Sequence, residues 1–237
     1  MNRYLFLLML CWGFTTLAAV TPGGDDTSSP GTSAATTAYT LVRQENDICV
    51  YTRWIPVDDS RSARQVKVTF TIHAPAGYAL QVLLDDSRYA DWMTGTSKTF
   101  RLAGADSLHW HSYIRYSLPW PLRDQDCIIR NTLHKHSVDY CEVILHGEPD
   151  FLARTDGVNR IGHMEGSWKL VQVSSQKTLV EYVIFSAQPS SFPKWITDPI
   201  IQGNMVRTMT AFREEVDKRT VEARHASPQQ ADKRIDK

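Results

Sequence analysis

The sequence has no excess of charge: 26 Lys plus Arg balance 26 Asp plus Glu. A protein that tracks phosphates carries a basic surplus, so nucleic acid is not the expected partner. Hydrolase, zincin, P-loop and dinucleotide signatures are also missing, with no G-x-S-x-G, H-E-x-x-H, Walker loop or G-x-G-x-x-G anywhere. No period of about 20–50 residues repeats, which excludes a solenoid or propeller. Cysteine is scarce and forms no C-x-x-C. Cys11 lies in the N-terminal apolar run, leaving Cys49, Cys127 and Cys141. Their spacing dictates no pairing, so a disulfide stays open. The plainer expectation is small buried apolar residues. Beyond residue 14 no apolar run approaches the about 20 residues that a membrane span needs.

What the chain does have begins at its N-terminus. Arg3 is followed by YLFLLMLCWGF over residues 4–14, then by Thr16, Ala18, Ala19 and the breaker TPGG. This is the layout of a signal peptide over 1–19, cleaved after Ala18 or Ala19. Cys11 sits inside the apolar run after Leu10, which argues against a lipid-anchored cysteine. Export to the periplasm or beyond is the expectation. Residues 20–39 are mostly Thr, Ser, Gly, Pro, Ala and Asp and read as a flexible leader; residues 220–237 read as a disordered tail. The interval 40–219 suits one domain, acting as a monomer.

Within it, QVKVTFTIH (65–73) alternates cleanly, with Val66, Val68, Phe70 and Ile72 on one face. That is a half-buried strand. Residues 48–55 read as a strand before it. Ala74-Pro75 breaks the pattern, and short helices follow through Tyr78, Val82 and Leu83, then Tyr89 and Trp92. Strands are expected over 98–102, 107–116, 126–133, 140–146, 161–173 and 178–186. From residue 193 to 219 the pattern turns helical: Trp195, Ile196, Pro199, Ile200, Met205, Val206, Met209, Phe212 and Val216 recur mostly at spacings of three and four. An apolar face that long must lie on something, and the sheet is the only large partner. The fold class is therefore α+β, a curved antiparallel sheet wrapped around a long C-terminal helix.

Three passages resemble the START family, the lipid-transfer domains named after the steroidogenic acute regulatory protein. They are YSLPWPLRDQDCIIRNTL (116–133), the pair GSWKLVQV (166–173) and TLVEYVIF (178–185), and QPSSFPKWITDPIIQGNMVRTMTAFREEV (188–216). The resemblance, to an exported bacterial member, runs over about residues 40–219. It implies a helix-grip fold with a deep cavity between sheet and helix, and binding of a lipid or other apolar molecule without chemistry or cofactor. Where the family usually has Arg-Asp, this chain has Gln125-Asp126, so the positive partner of that Asp must come from elsewhere, such as Arg123.

Alternation assigns the cavity walls. Trp110, Ser112 and Ile114 share one face; Ile129 and Asn131, the latter a candidate headgroup contact, share another. Trp168 and Leu170, then Tyr182 and Ile184, point inward on the next strands. Trp195, Met205 and Met209 close the roof. The LPWPL segment puts Leu118, Trp120 and Leu122 in an apolar loop, which suits a gate at the cavity mouth or a transient membrane contact. His109-x-His111 and His134-x-His136 invite a metal, but no further ligand stands at fixed spacing, so no metal is expected. The function expected is to bind, and to transfer or sense, an apolar small molecule. The alternative is a cyclase- or hydrolase-like enzyme acting in the same cavity.

Overall fold

The computed structural model describes residues 37–58, 62–104, 106–118, 120, 123–186 and 194–232; among these, the side chains of 135, 136, 194–197 and 226–232 are not described. The expected signal peptide, nearly all of the leader, Leu122 and the side chain of Trp195 lie outside the described residues.

Ten strands form one sheet. They are β1 (Thr40–Glu45), β2 (Ile48–Pro56), β3 (Ser62–Ile72), β4 (Thr96–Arg101), β5 (His109–Tyr116), β6 (Gln125–His136), β7 (Tyr140–Gly147), β8 (Asn159–Arg160), β9 (Met164–Ser174) and β10 (Lys177–Ser186). The order is β1-β2-β3-β10-β9-β7-β6-β5-β4, all antiparallel, with β8 alongside β6 in parallel. Two short helices, α1 (Ala76–Leu83) and α2 (Tyr89–Trp92), join β3 to β4 across a single 3-10 turn at Asp86–Arg88. The helix α3 (Lys194–Asp232) closes the chain.

The strands form where alternation predicts them. In β3 the faces separate cleanly: Val66, Val68, Phe70 and Ile72 are buried, while Lys67, Thr69 and Thr71 are not. β1 was not expected as a strand. It is a largely exposed edge with no apolar alternation. Its signal is the turn: Asn46 and Asp47 both take positive φ, 49° and 63°, the pair that a two-residue hairpin loop requires.

Helix α3 lays Val206, Met209, Phe212 and Val216 against the sheet. Each such side chain contributes about 1.5–3 kcal/mol on burial. The helix runs past Arg219, where the sequence places the domain's end. Thr220 is buried and donates its hydroxyl hydrogen to the Val216 carbonyl, 2.8 Å. The polar composition of 220–232 misleads here, because a helix already nucleated and docked extends at little further cost. At the other end Ile200, expected on the apolar face, is 55% exposed. No described helix is long and apolar enough to cross a membrane.

The core sits between the concave side of the sheet and α3. An aromatic group fills its middle: Phe212 stacks on Trp168 at 5.2 Å and meets Trp92 edge-on at 5.1 Å, with Phe70 at 6.2 Å. Gly166 lies where β9 comes closest to β10; a Cβ there would stand 2.4 Å from the Val183 carbonyl oxygen. Glycine in a strand marks such a close approach.

Candidate functional site: a recess beyond the aromatic core

The inner faces fall as alternation predicts, but the residues on them divide into two groups. Trp110, Ser112, Ile114, Ile129, Asn131, Trp168, Leu170 and Met209 are buried, covered by protein. Tyr182, Ile184 and Met205 pack against the core yet stay only half-buried. Tyr116, on the same strand face as Trp110, Ser112 and Ile114, and Met93, which the sequence does not single out, share that condition.

Ser112 and Asn131 have protein partners. Asn131 Nδ2 donates to Ser112 Oγ at 2.8 Å, and Ser112 donates to Asp86 Oδ2 at 2.5 Å. Arg101 closes this buried group on Asp86 Oδ1, 2.7 Å. The Ser112 hydroxyl and the amide of Asn131, the candidate headgroup contact, hold the 3-10 turn onto β5 and β6. Sequence could not show this, because Asp86 is 26 residues from Ser112 and belongs to another element.

The half-buried group is different. Tyr116, Cys127 and Tyr182 come from β5, β6 and β10. β5 and β10 are four places apart in the sheet, about 19 Å on a flat surface at ~4.8 Å per strand. Yet the Tyr182 phenol lies close enough to raise the pKa of Tyr116, and Cys127 acts on both. The sheet has therefore curled until its two wings face each other.

Desolvation dominates all three groups. It drives the Tyr116 and Tyr182 phenols far above their ordinary value of 10.0, and the Cys127 thiol from 9.0 up to about 12. Tyr116 and Tyr182 are thus deep inside the protein, while part of their surface touches no protein atom. Groups enclosed but not packed are the wall of a recess. Trp168 forms its floor, 4.2 Å from the Tyr182 ring. Tyr116 donates to Met93 Sδ at 3.3 Å and lies within hydrogen-bonding reach of the Cys127 thiol.

These shifts have a consequence in base. The unfolded chain releases its thiol and phenol protons near pH 9–10, while the folded chain keeps them. Stability is then fully present below pH 9 and is lost as pH rises from about 9 toward 12. Melting temperature should be level from pH 7 to 8.5 and fall steeply above 9.5. A level profile up to pH 11 would contradict the desolvation of these groups.

The mouth of the recess carries charge in pairs. Arg64 on β3 bridges to Asp198 in the first turns of α3, and its guanidinium lies 5.2 Å from the Trp54 ring centroid. Of the LPWPL segment, Leu118 is half-buried and Trp120 is 87% exposed. The Leu118 N–H donates to Asp124 Oδ1, 3.3 Å.

On the outer face, the partner of Asp126 is Arg160 from β8, not Arg123. Arg160 Nε donates to Oδ1 at 2.6 Å, and both side chains are 1% exposed. Of the two histidine pairs, the side chain of His136 lies outside the described residues. His109 faces Asp106 at 3.3 Å and His111 faces Glu148 at 2.9 Å. No group of three or more His, Cys, Asp or Glu capable of holding a metal occurs among the described residues. Cys49, Cys127 and Cys141 are free thiols.

No protein-family model matches the chain. It is similar to an uncharacterized protein of Pseudomonas aeruginosa, 25% identical over 122 residues, which is 52% of this chain and 59% of that protein. The chain thus matches somewhat over half the length of that relative. Among solved structures it resembles a STAR-related lipid transfer protein from Xanthomonas axonopodis with a TM-score of 0.67, at 23% identity over 76% of this chain and 98% of the other. Human STARD10 aligns with a TM-score of 0.65 and 15% identity, over 81% and 78% of the two chains. The Zhui aromatase/cyclase of a Streptomyces aligns at 0.51 and 18%, over 67% and 96%. A long antiparallel sheet closed by a long C-terminal helix, shared with these chains, identifies the fold as the START-like helix grip.

Proposed function

We propose that this protein binds a lipid or similarly apolar small molecule in the recess between the curled sheet and α3, and carries or presents it without chemical change. One observation supports this above the others: Tyr116, Tyr182, Ile184, Met93 and Met205 pack on the core with part of their surface left uncovered, and the two phenols among them are strongly desolvated. An apolar concavity with few polar groups is what small-molecule sites share. Burying hydrocarbon there yields roughly 0.8 kcal/mol per CH₂. The names of two structural neighbours, a STAR-related lipid transfer protein and an aromatase/cyclase, leave both a carrier and an enzyme open. The carrier reading is favoured by the chemistry of the wall. Catalytic acids and bases need pKa values near working pH. The thiol and phenols of the recess are all pushed the other way.

Trp120, exposed on the loop that precedes β6, supports loading from a membrane surface. Indole suits the interface between water and hydrocarbon. The test is native mass spectrometry of protein incubated with phosphatidylcholine vesicles containing mixed neutral lipids. The protein should emerge with one lipid per chain, and Trp120→Ala should load several-fold more slowly while reaching the same final occupancy. Protein that stays empty against every lipid class would end the proposal.

A further inference from the structure

Tyr182 turns a hydroxyl toward the recess. Tyr182 on β10 points inward between Trp168 on β9 and Val68 on β3, its Cα partners. Its ring is held by Trp168 at 4.2 Å. Among the described residues no group accepts the hydrogen of its hydroxyl. The neighbouring phenol, Tyr116, already has Met93 Sδ. A hydroxyl on an apolar wall with no protein acceptor is open to a ligand's acceptor.

Two cations on the inward face already have carboxylate partners. The inward-facing cations Arg64 and Arg101 pair with Asp198 and Asp86. The desolvation that keeps Cys127, Tyr116 and Tyr182 protonated would act equally against a bound carboxylate or phosphate.

We infer that the enclosed end of the ligand is uncharged and carries a carbonyl oxygen, as in an ester or ketone, which accepts the hydrogen bond of Tyr182. This rests on the proposed binding of an apolar molecule in the recess, and narrows its chemistry. The phenol O–H is a donor at every pH at which the fold stands. An sp² oxygen placed over the Trp168–Tyr182 floor satisfies it, while the hydrocarbon lies against Ile184 and Met205. A carboxylate would bring a charge in where the inward-facing Arg64 and Arg101 are already paired.

The experiment is a competition. Protein is equilibrated with an equimolar mixture of methyl oleate, 1-octadecene and sodium oleate at pH 7.5, below micelle formation. After desalting, the bound molecules are extracted and quantified by gas chromatography. Wild type should hold methyl oleate over 1-octadecene by about two- to tenfold, the range of one neutral hydrogen bond. Oleate should be the least bound. Tyr182→Phe, which removes one oxygen and keeps the ring, should bring the ester-to-alkene ratio to about one without lowering total occupancy. Preference for oleate would overturn the inference, and so would a ratio that Tyr182→Phe leaves unchanged; either leaves the recess as a lipid site. If none of the three binds, the proposed function itself falls, and the inference with it.

Discussion

Replacing Arg160 by methionine is expected to destabilise the protein by about 3–5 kcal/mol, the cost of leaving a buried charge unpaired. At roughly 2–4 °C per kcal/mol for a domain of this size, the melting temperature falls by about 6–20 °C. The reason is the number of groups that share this one side chain. Its Nε and one terminal nitrogen grip both oxygens of Asp126, at 2.6 and 3.1 Å. The terminal nitrogens also serve the carbonyls of Pro149, Leu152 and Ala153, at 2.6, 3.1 and 3.3 Å. Without the guanidinium, Asp126 keeps the Tyr113 hydroxyl at 3.1 Å, and three carbonyls lose a donor. Lysine cannot serve, because a single ammonium does not reproduce the planar fork. The double variant Asp126→Leu with Arg160→Met should recover part of the loss, since removing both charges removes the unpaired one. Urea denaturation of the three proteins measures this. A single-variant cost under about 1 kcal/mol would show that the pair is not needed.

The same pair bears on the recess. Asp126 and Cys127 are adjacent in β6 and face opposite sides of the sheet. Fixing Asp126 from outside fixes where the Cys127 thiol stands inside. The latch also holds the segment after β7 over the outer face, where Phe151 stacks on His111 at 4.1 Å.

How far this was legible in the sequence depends on the reach of each interaction. The alternation of β3 and the spacing of Val206, Met209, Phe212 and Val216 are local, and both faces came out as read. β1 carries TLVRQE, a sequence with no apolar face, because an exposed edge strand needs none. β8 is two residues long and leaves no periodicity to find. The partner of Asp126 was sought at Arg123 and lies 34 residues away, at a position no motif marks. The recess is the least legible feature. Alternation says which side chains point inward, but not which are packed. That depends on how far the sheet curls, and only the curl sets Tyr116 against Tyr182. Strand parity turns Tyr116, Tyr182 and Ile184 inward, and helical spacing puts Met205 in the roof. Met93 needed the structure.

Curl leads to the second large effect, at Gly166. Substituting alanine there is expected to cost about 1–3 kcal/mol, the range for overpacking a filled site. The upper half of that range is expected, because the obstacle is backbone. The new Cβ would stand 2.4 Å from the Val183 carbonyl oxygen and 2.8 Å from Ile184 Cδ1. Ile184 can turn aside, since its side chain is only half-buried beside the recess. The carbonyl cannot, because it belongs to the β9–β10 ladder, in which Val183 is paired with Ser167. The strands must part or tilt, and either motion displaces Ile184 and Tyr182 on the wall. Lipid occupancy should therefore fall together with stability, which would not follow from a purely local strain. Gly147 supplies the control: a Cβ there also meets backbone, the Met164 oxygen and nitrogen, but at 3.1–3.2 Å rather than 2.4 Å, so a displacement of a few tenths of an ångström suffices and Gly147→Ala should cost under about 1.5 kcal/mol. Denaturation midpoints and bound-lipid ratios for the two variants decide it. If Gly166→Ala is as stable as wild type to within about 0.5 kcal/mol, the close approach of β9 and β10 does not constrain the curl, and the account of how the recess is shaped fails with it.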